Sequence, residues 1–64
     1  MIWEFYEVWA IDVDGREELV GTTRDIKEAK RLSSQALIGE DIDECVIYQE
    51  TDDADLMEIS RVQK

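Results

Sequence analysis

The groups in this chain that could do chemistry are almost all carboxylates. Its 64 residues contain 17 Asp and Glu, 7 Lys and Arg and no histidine, which gives a formal charge of −10. The lack of histidine removes the commonest general base and metal ligand. The only thiol, Cys45, lies in the apolar run 44–49 with no imidazole to activate it. We therefore expect Cys45 to be a buried small side chain and not a nucleophile.

Two acidic segments have part of a metal-binding pattern. Asp12–Gly15 has the spacing that opens a calcium loop, but its glycine comes too early and Arg16 stands where an oxygen ligand is needed. A hairpin turn is the better interpretation. Asp52, Asp53 and Asp55 could hold a divalent cation weakly, although a solvated acidic turn is favoured.

Other catalytic patterns are missing. The serines have no triad partners, and the three glycines do not form a phosphate-binding loop. A carboxylate pair for glycoside hydrolysis needs a cleft, for which a domain of this size has little room. We therefore expect a non-enzymatic protein with no cofactor and no metal.

Composition also limits the partners and the compartment. A surface this acidic repels nucleic-acid phosphates and anionic membranes, and no apolar run approaches the roughly 18–20 residues that span a bilayer. Residues 1–4 contain no basic segment leading into an apolar one, so we expect no secretory signal. With one free thiol, the expected compartment is the cytoplasm. Direct binding to nucleic acid or membrane is not expected.

Aromatic and β-branched residues predict the strands. The first segment is dense in both types and is followed by Asp14-Gly15, which indicates a hairpin. Residues 51–55 are predicted to form a turn. The predicted strands cover residues 2–13, 16–22, 44–49 and 56–62.

One helix is predicted over residues 26–38. Asp25 is placed to cap it, and Glu28 would complete a capping box. Gly39 suits the left-handed position that ends a helix, and the basic residues fall on the solvent side. The apolar stripe has helical spacing and consists of Ile26, Ala29, Leu32, Ser33, Ala36 and Leu37.

These elements predict a single small acidic α+β domain over residues 1–64, with the order ββαββ. The helix returns the chain across the sheet, so the third strand can pair with the first in antiparallel orientation. The expected sheet has four antiparallel strands in the order 2-1-3-4, with one helix on one face.

The first strand is apolar on both faces, which one helix cannot cover. The hairpin register remains open between a two-residue turn, which pairs Ala10 with Leu19, and a three-residue turn, which pairs Trp9 with Leu19 and Val8 with Val20. Small Ala10 favours the face of Tyr6, Val8 and Ala10 as the helix side. For the other face three arrangements remain open. A bulge near Phe5-Tyr6 switches the faces, or long acidic side chains lie across it, or it is an interface formed by Trp3, Phe5, Trp9 and Ile11.

Negative charge is concentrated late in the chain, where residues 40–58 contain nine acids and no base. Such segments either keep the protein soluble or complement a basic surface. In the second case the partner-binding residues would be Glu40, Asp41, Asp43, Glu44, Glu50, Asp52, Asp53 and Asp55.

Two functions are consistent with these patterns. The first is an acidic interaction module that occupies a basic surface of a partner, such as one that handles nucleic acid. The second is a small structural domain that forms a homodimer through the face of Trp9, with acidity serving solubility alone. Small size, acidity and missing catalytic residues are typical of accessory and inhibitor proteins from bacteria and phages, although no motif carries this likeness.

Overall fold

The computed structural model describes residues 5–50 and 55–64. Within these ranges the elements are β1 (Phe5–Asp12), β2 (Glu17–Thr23), α1 (Ile26–Ala36), β3 (Ile42–Glu50) and β4 (Leu56–Gln63). The strands form one antiparallel sheet in the order β2-β1-β3-β4, and α1 packs on β1, β2 and β3. The predicted fold class and strand order are confirmed.

Several predicted boundaries move by one or two residues. Val13 belongs to the hairpin turn and not to the first strand, of which residues 2–4 lie outside the described ranges. The helix ends at Ala36 instead of residue 38 because the Ile38 and Gly39 amides bond to the carbonyls three residues back, those of Gln35 and Ala36, in a closing turn. The third strand begins two residues early, at Ile42. Of the predicted 51–55 turn, only residue 55 is described.

The hairpin has a three-residue loop. The Asp12 amide donates to the Arg16 carbonyl at 3.0 Å, and Gly15 has a φ of 87°, a conformation that glycine adopts at little cost. Asp12 Oδ1 accepts from the amides of Asp14 and Arg16, both at 2.9 Å. The segment suggestive of a calcium loop is therefore a hairpin turn closed by its first carboxylate.

This loop selects one of the two registers. Trp9 lies opposite Leu19, as a three-residue turn requires, but Val8 lies opposite Gly21. The expected pairing of Val8 with Val20 is wrong because Val20 is an extra residue in β2, a β-bulge.

Only the first half of the predicted capping box forms at the start of the helix. Asp25 accepts a hydrogen bond from the Lys27 amide at 2.9 Å. The second half of the capping box is wrong: the Asp25 amide donates to Thr23 Oγ1, and the Glu28 carboxylate pairs with Arg31. The Glu28 carboxylate that would have completed the capping box is instead in the ion pair with Arg31.

Gly39 does not have the predicted left-handed conformation, because Gly15 is the one glycine with positive φ. A Cβ at residue 39 would lie 3.3 Å from both the Ala36 carbonyl oxygen and Ile42 Cγ1. The loop packs so closely against the end of the helix that a side chain at residue 39 would be crowded. This packing, and not a left-handed backbone conformation, explains why residue 39 is a glycine.

The core lies between α1 and the centre of the sheet. Val8, Ala29 and Ile47 are fully buried there, and Tyr6 and Leu32 pack against them. Ala10 and its cross-strand neighbour Cys45 are also buried. The helix thus covers the predicted face of β1, and Cys45 is the expected buried small side chain.

Candidate functional site

Exposed carboxylates from three chain segments collect at one end of the sheet. The start of β3 lies beside the end of β1, with Ile42 opposite Asp12, and the hairpin brings the start of β2 to the same place. We call this region the acidic end. Its exposed carboxylates are those of Asp14, Glu17, Glu18, Glu40, Asp41 and Asp43.

Main-chain hydrogen bonds hold the acidic end together. The Val13 amide of the hairpin turn donates to the Asp41 carbonyl of the next loop at 2.9 Å. The Lys64 amide donates to the Asp43 carbonyl, and Lys64 Nζ donates to the Gly39 carbonyl at 2.6 Å. The hairpin turn, the loop before β3 and the chain end thus form one connected unit.

A cavity of about 580 Å³ opens on this end. Its walls carry one cation, that of Arg16, and five carboxylates, while Ala10 and Ile42 supply apolar surface. The carboxylates belong to Asp12, Glu17, Glu18, Glu40 and Asp41. Such a lining suits a cationic group of a partner better than an apolar ligand.

Four described carboxylates outside the acidic end have partners: Glu7 accepts from the Trp9 indole, Glu28 pairs with Arg31, and Glu44 and Glu58 both pair with Arg61. The hydrogen bond from Arg31 lowers the pKa of Glu28. At the acidic end, by contrast, none of the six exposed carboxylates is in an ion pair with a described residue.

The acidic residues predicted to bind a partner do not lie together in the structure. Glu40, Asp41 and Asp43 lie at the acidic end, whereas Glu50 lies at the far end of β3, about 26 Å away at the usual rise of a strand. Asp55 directly precedes β4, whose Leu56 lies opposite Glu50, and is therefore at that far end too. Asp52 and Asp53 lie outside the described residues.

Glu44 differs from the rest of the predicted set. It lies within β3, its side chain is 12% exposed, and its carboxylate is in an ion pair with Arg61. It is therefore committed to the sheet surface and is not available to a partner.

Three acidic-end residues were not among the predicted site residues, namely Asp14, Glu17 and Glu18. Their signal was present in the hairpin and the strand order, because a third strand paired with the first must begin beside the hairpin turn. Along the chain these three residues are distant from residues 40–43, so charge grouped by sequence position does not include them.

The sheet face away from α1 carries the described residues of the set predicted to form an aromatic interface. Phe5, Trp9 and Ile11 are half-buried there, and Trp3 lies outside the described residues. The Trp9 indole N–H donates to Glu7 Oε1 at 3.0 Å, and the Arg24 guanidinium lies 5.0 Å from the centre of the Phe5 ring. Polar side chains of the same chain thus cover part of this face, one of the arrangements expected from the sequence.

Neither a metal centre nor a membrane span is found in residues 5–50 and 55–64. No three acidic or thiol side chains among them converge so as to hold a metal ion, and no helix there is long and apolar enough to cross a bilayer. No protein-family model matches this chain, and no curated protein or solved structure matches it significantly.

Proposed function

We propose that this protein is a non-enzymatic interaction module whose acidic end binds a basic surface of a partner protein. The observation that carries the proposal is the collection of six exposed carboxylates, without ion pairs among the described residues, around a cavity with one cation in its lining. None of these six has to give up an ion pair with a described residue before it pairs with a partner's cation.

The chemistry of the acidic end favours a partner rich in Lys and Arg. A concentrated negative field accelerates association with such a surface and excludes polyanions. Basic surfaces of this kind commonly bind nucleic-acid phosphates. We therefore place proteins that handle nucleic acid first among the partners, with this chain acting as an accessory or inhibitor that competes for the phosphate site.

Two triple charge reversals test the proposal. The first changes Glu40, Asp41 and Asp43 to Lys at the acidic end. The second makes the same charge change with Asp52, Asp53 and Asp55, and is the matched control. Each protein is immobilised and incubated with deca-lysine and with lysate of the source cell at low salt, and captured proteins are identified by mass spectrometry. Competition by a DNA oligonucleotide then shows whether the captured surface is a phosphate-binding one.

We expect the acidic-end variant to lose both deca-lysine and the captured partner, while the control keeps them. Binding should weaken steeply with salt, since the Debye length falls from about 10 Å at 0.1 M to about 3 Å at 1 M. Equal losses in the two variants would show that net charge, and not this end, is responsible. Unchanged binding by the acidic-end variant would refute the proposal.

Self-association through Phe5, Trp9 and Ile11 is the alternative function. It is supported by the partial exposure of these side chains, but Glu7 already accepts from the Trp9 indole N–H and Arg24 lies over the Phe5 ring. Apolar association of this kind should not weaken at high salt, which separates it from binding by the acidic end.

A further inference from the structure

The last strand, β4, is an edge strand with several exposed apolar side chains. The sheet order leaves β2 and β4 at the two edges of the described sheet. Leu56, Met57 and Val62 are 48%, 51% and 44% exposed, and the strand contains no proline. An unpaired edge of this kind can accept another strand.

A β-bulge determines which way the β4 side chains point. Ser60 lies opposite Ile47 and Glu58 lies opposite Tyr48, so Ile59 is an extra residue. Glu58 and Arg61 consequently share one face, where their side chains form an ion pair at 2.7 Å. Without the extra residue, two positions three apart would point to opposite faces.

The bulge makes the strand complementary to itself. Met57 and Val62 lie opposite Gln49 and Cys45, on the helix side, while Glu58 and Arg61 lie on the other side. Outward from the central residues Ile59 and Ser60, the order is therefore the same in both directions: a charged residue on one face, then an apolar residue on the other. The two charges have opposite signs.

We propose that β4 pairs with β4 of a second copy, in antiparallel orientation, about a two-fold axis between Ile59 and Ser60. Each Glu58 then lies opposite Arg61 of the other copy, and each Met57 lies opposite Val62. Opposed residues in this register share a face, as antiparallel pairing requires, because both strands carry the extra residue at the axis. The result is one continuous eight-stranded sheet.

Charge explains why the second copy would pair at β4 and not at β2. Two chains of charge −10 repel each other, so contact requires a segment without excess negative charge. β4 contains one Glu and one Arg, whereas β2 contains Glu17 and Glu18 and no cation. Within β2 there is no cation for a carboxylate of a second β2 to pair with, so pairing there offers no attraction to offset this repulsion.

The surface beside β4 has room for the side chains of a second copy. The helix packs mainly on the other strands, and a groove of about 270 Å³ runs between it and β4. Leu37 and Val62 contribute apolar surface to this groove, and Lys30 and Ser60 also line it. Met57 of the second copy, placed beside Val62, would extend over this apolar surface.

Two charge variants and their mixture test the pairing by sedimentation velocity over a range of concentrations. Glu58→Arg leaves only cations at the two paired positions, and Arg61→Glu leaves only carboxylates. Each alone should dimerise at least about tenfold more weakly than the wild type, because like charges then oppose each other. An equimolar mixture should form a heterodimer, since the two variants complement each other at both positions.

Glu17→Arg is the matched control, because it makes the same charge change as Glu58→Arg on the opposite edge strand. It should dimerise at least as well as the wild type, since it reduces the net negative charge. Circular dichroism checks the fold of every variant. Should Arg61→Glu not fold, Met57→Lys replaces it and should also dimerise at least about tenfold more weakly, because its ammonium group would lie against Val62 of the second copy.

A wild-type chain that stays monomeric at millimolar concentration would overturn the proposal. So would folded variants that dimerise as well as the wild type, or a mixture that forms no heterodimer. None of these results bears on the acidic end, which lies away from the axis, and the triple variant with Lys at residues 40, 41 and 43 should still dimerise.

Discussion

Trp9 lies directly opposite Val46 in the pairing of β1 with β3, and Val46 is completely buried although α1 packs on the other face. The indole is fixed in place by its hydrogen bond to Glu7. With α1 on one face, residues 5–50 and 55–64 thus bury apolar surface on both faces of the sheet, and on the second face the side chains of the sheet itself provide the cover.

Replacing Trp9 with Ala should expose Val46 and destabilise the fold. The loss in free energy of unfolding should be near the lower end of the roughly 3–5 kcal/mol that removal of a buried Trp costs, because the ring is half-buried. Urea denaturation measures it. Trp9→Phe keeps an aromatic ring over Val46 and should lose clearly less. Equal stability of Trp9→Ala and the wild type would show that the indole does not protect the second face.

The predictions of the fold were confirmed where a sequence pattern was compatible with a single arrangement of the strands and the helix. The small side chain of Ala10 identified the helix side of β1, and the helix crossing determined which strand pairs with β1. The bulges at Val20 and Ile59 were not predictable, because an extra residue is defined by the partner strand and not by the bulged segment alone.

The candidate site was only half predictable for a related reason. Charge counted along the chain grouped residues 40–44 with residues 50–55, yet the length of β3 keeps these segments apart. The hairpin, which the sequence placed correctly, supplies the other carboxylates of the acidic end. The sequence showed which segments are acidic, whereas the pairing of the strands determines which of these segments lie together.

Because only Asp25 caps the helix, we expect substitutions of Asp25 and Glu28 to have unequal effects on stability. Asp25→Ala removes the acceptor of the Lys27 amide and should cost about 1 kcal/mol in free energy of unfolding. Glu28→Ala removes only an exposed ion pair with Arg31 and should cost less. Asp25→Asn should keep most of the cap. Thermal unfolding of the three variants compares them, and a larger loss for Glu28→Ala would indicate that Glu28 does cap the helix.

Gly15 should tolerate few replacements. Its φ of 87° is strained for a residue with a Cβ, although nothing lies within 4 Å of the position that a Cβ would occupy. We expect Gly15→Ala to cost about 1–2 kcal/mol in free energy of unfolding, and Gly15→Asn to cost less because Asn adopts this conformation more readily. Chemical denaturation measures both. If Gly15→Ala were as stable as the wild type, the hairpin would have a different turn.

Burial raises the pKa of the Cys45 thiol. The folded chain therefore holds this proton more tightly than the unfolded chain, and above the ordinary thiol pKa of about 8.5 the free energy of unfolding should fall as pH rises. Denaturation midpoints of the wild type and Cys45→Ala between neutral and alkaline pH isolate this contribution. The wild type should lose stability more steeply, and parallel curves would contradict the effect of burial.

The hydrogen bond from the Val13 amide to the Asp41 carbonyl bears on the kinetics and entropy of the partner binding that we propose. It ties the hairpin turn to the loop before β3, so the backbone that carries the carboxylates of the acidic end is ordered before any partner arrives. Association then restricts mainly side-chain rotamers and does not have to fold a loop. A partner would meet a preformed array of charges, and its rate of encounter would be set by diffusion and long-range attraction instead of by a conformational step.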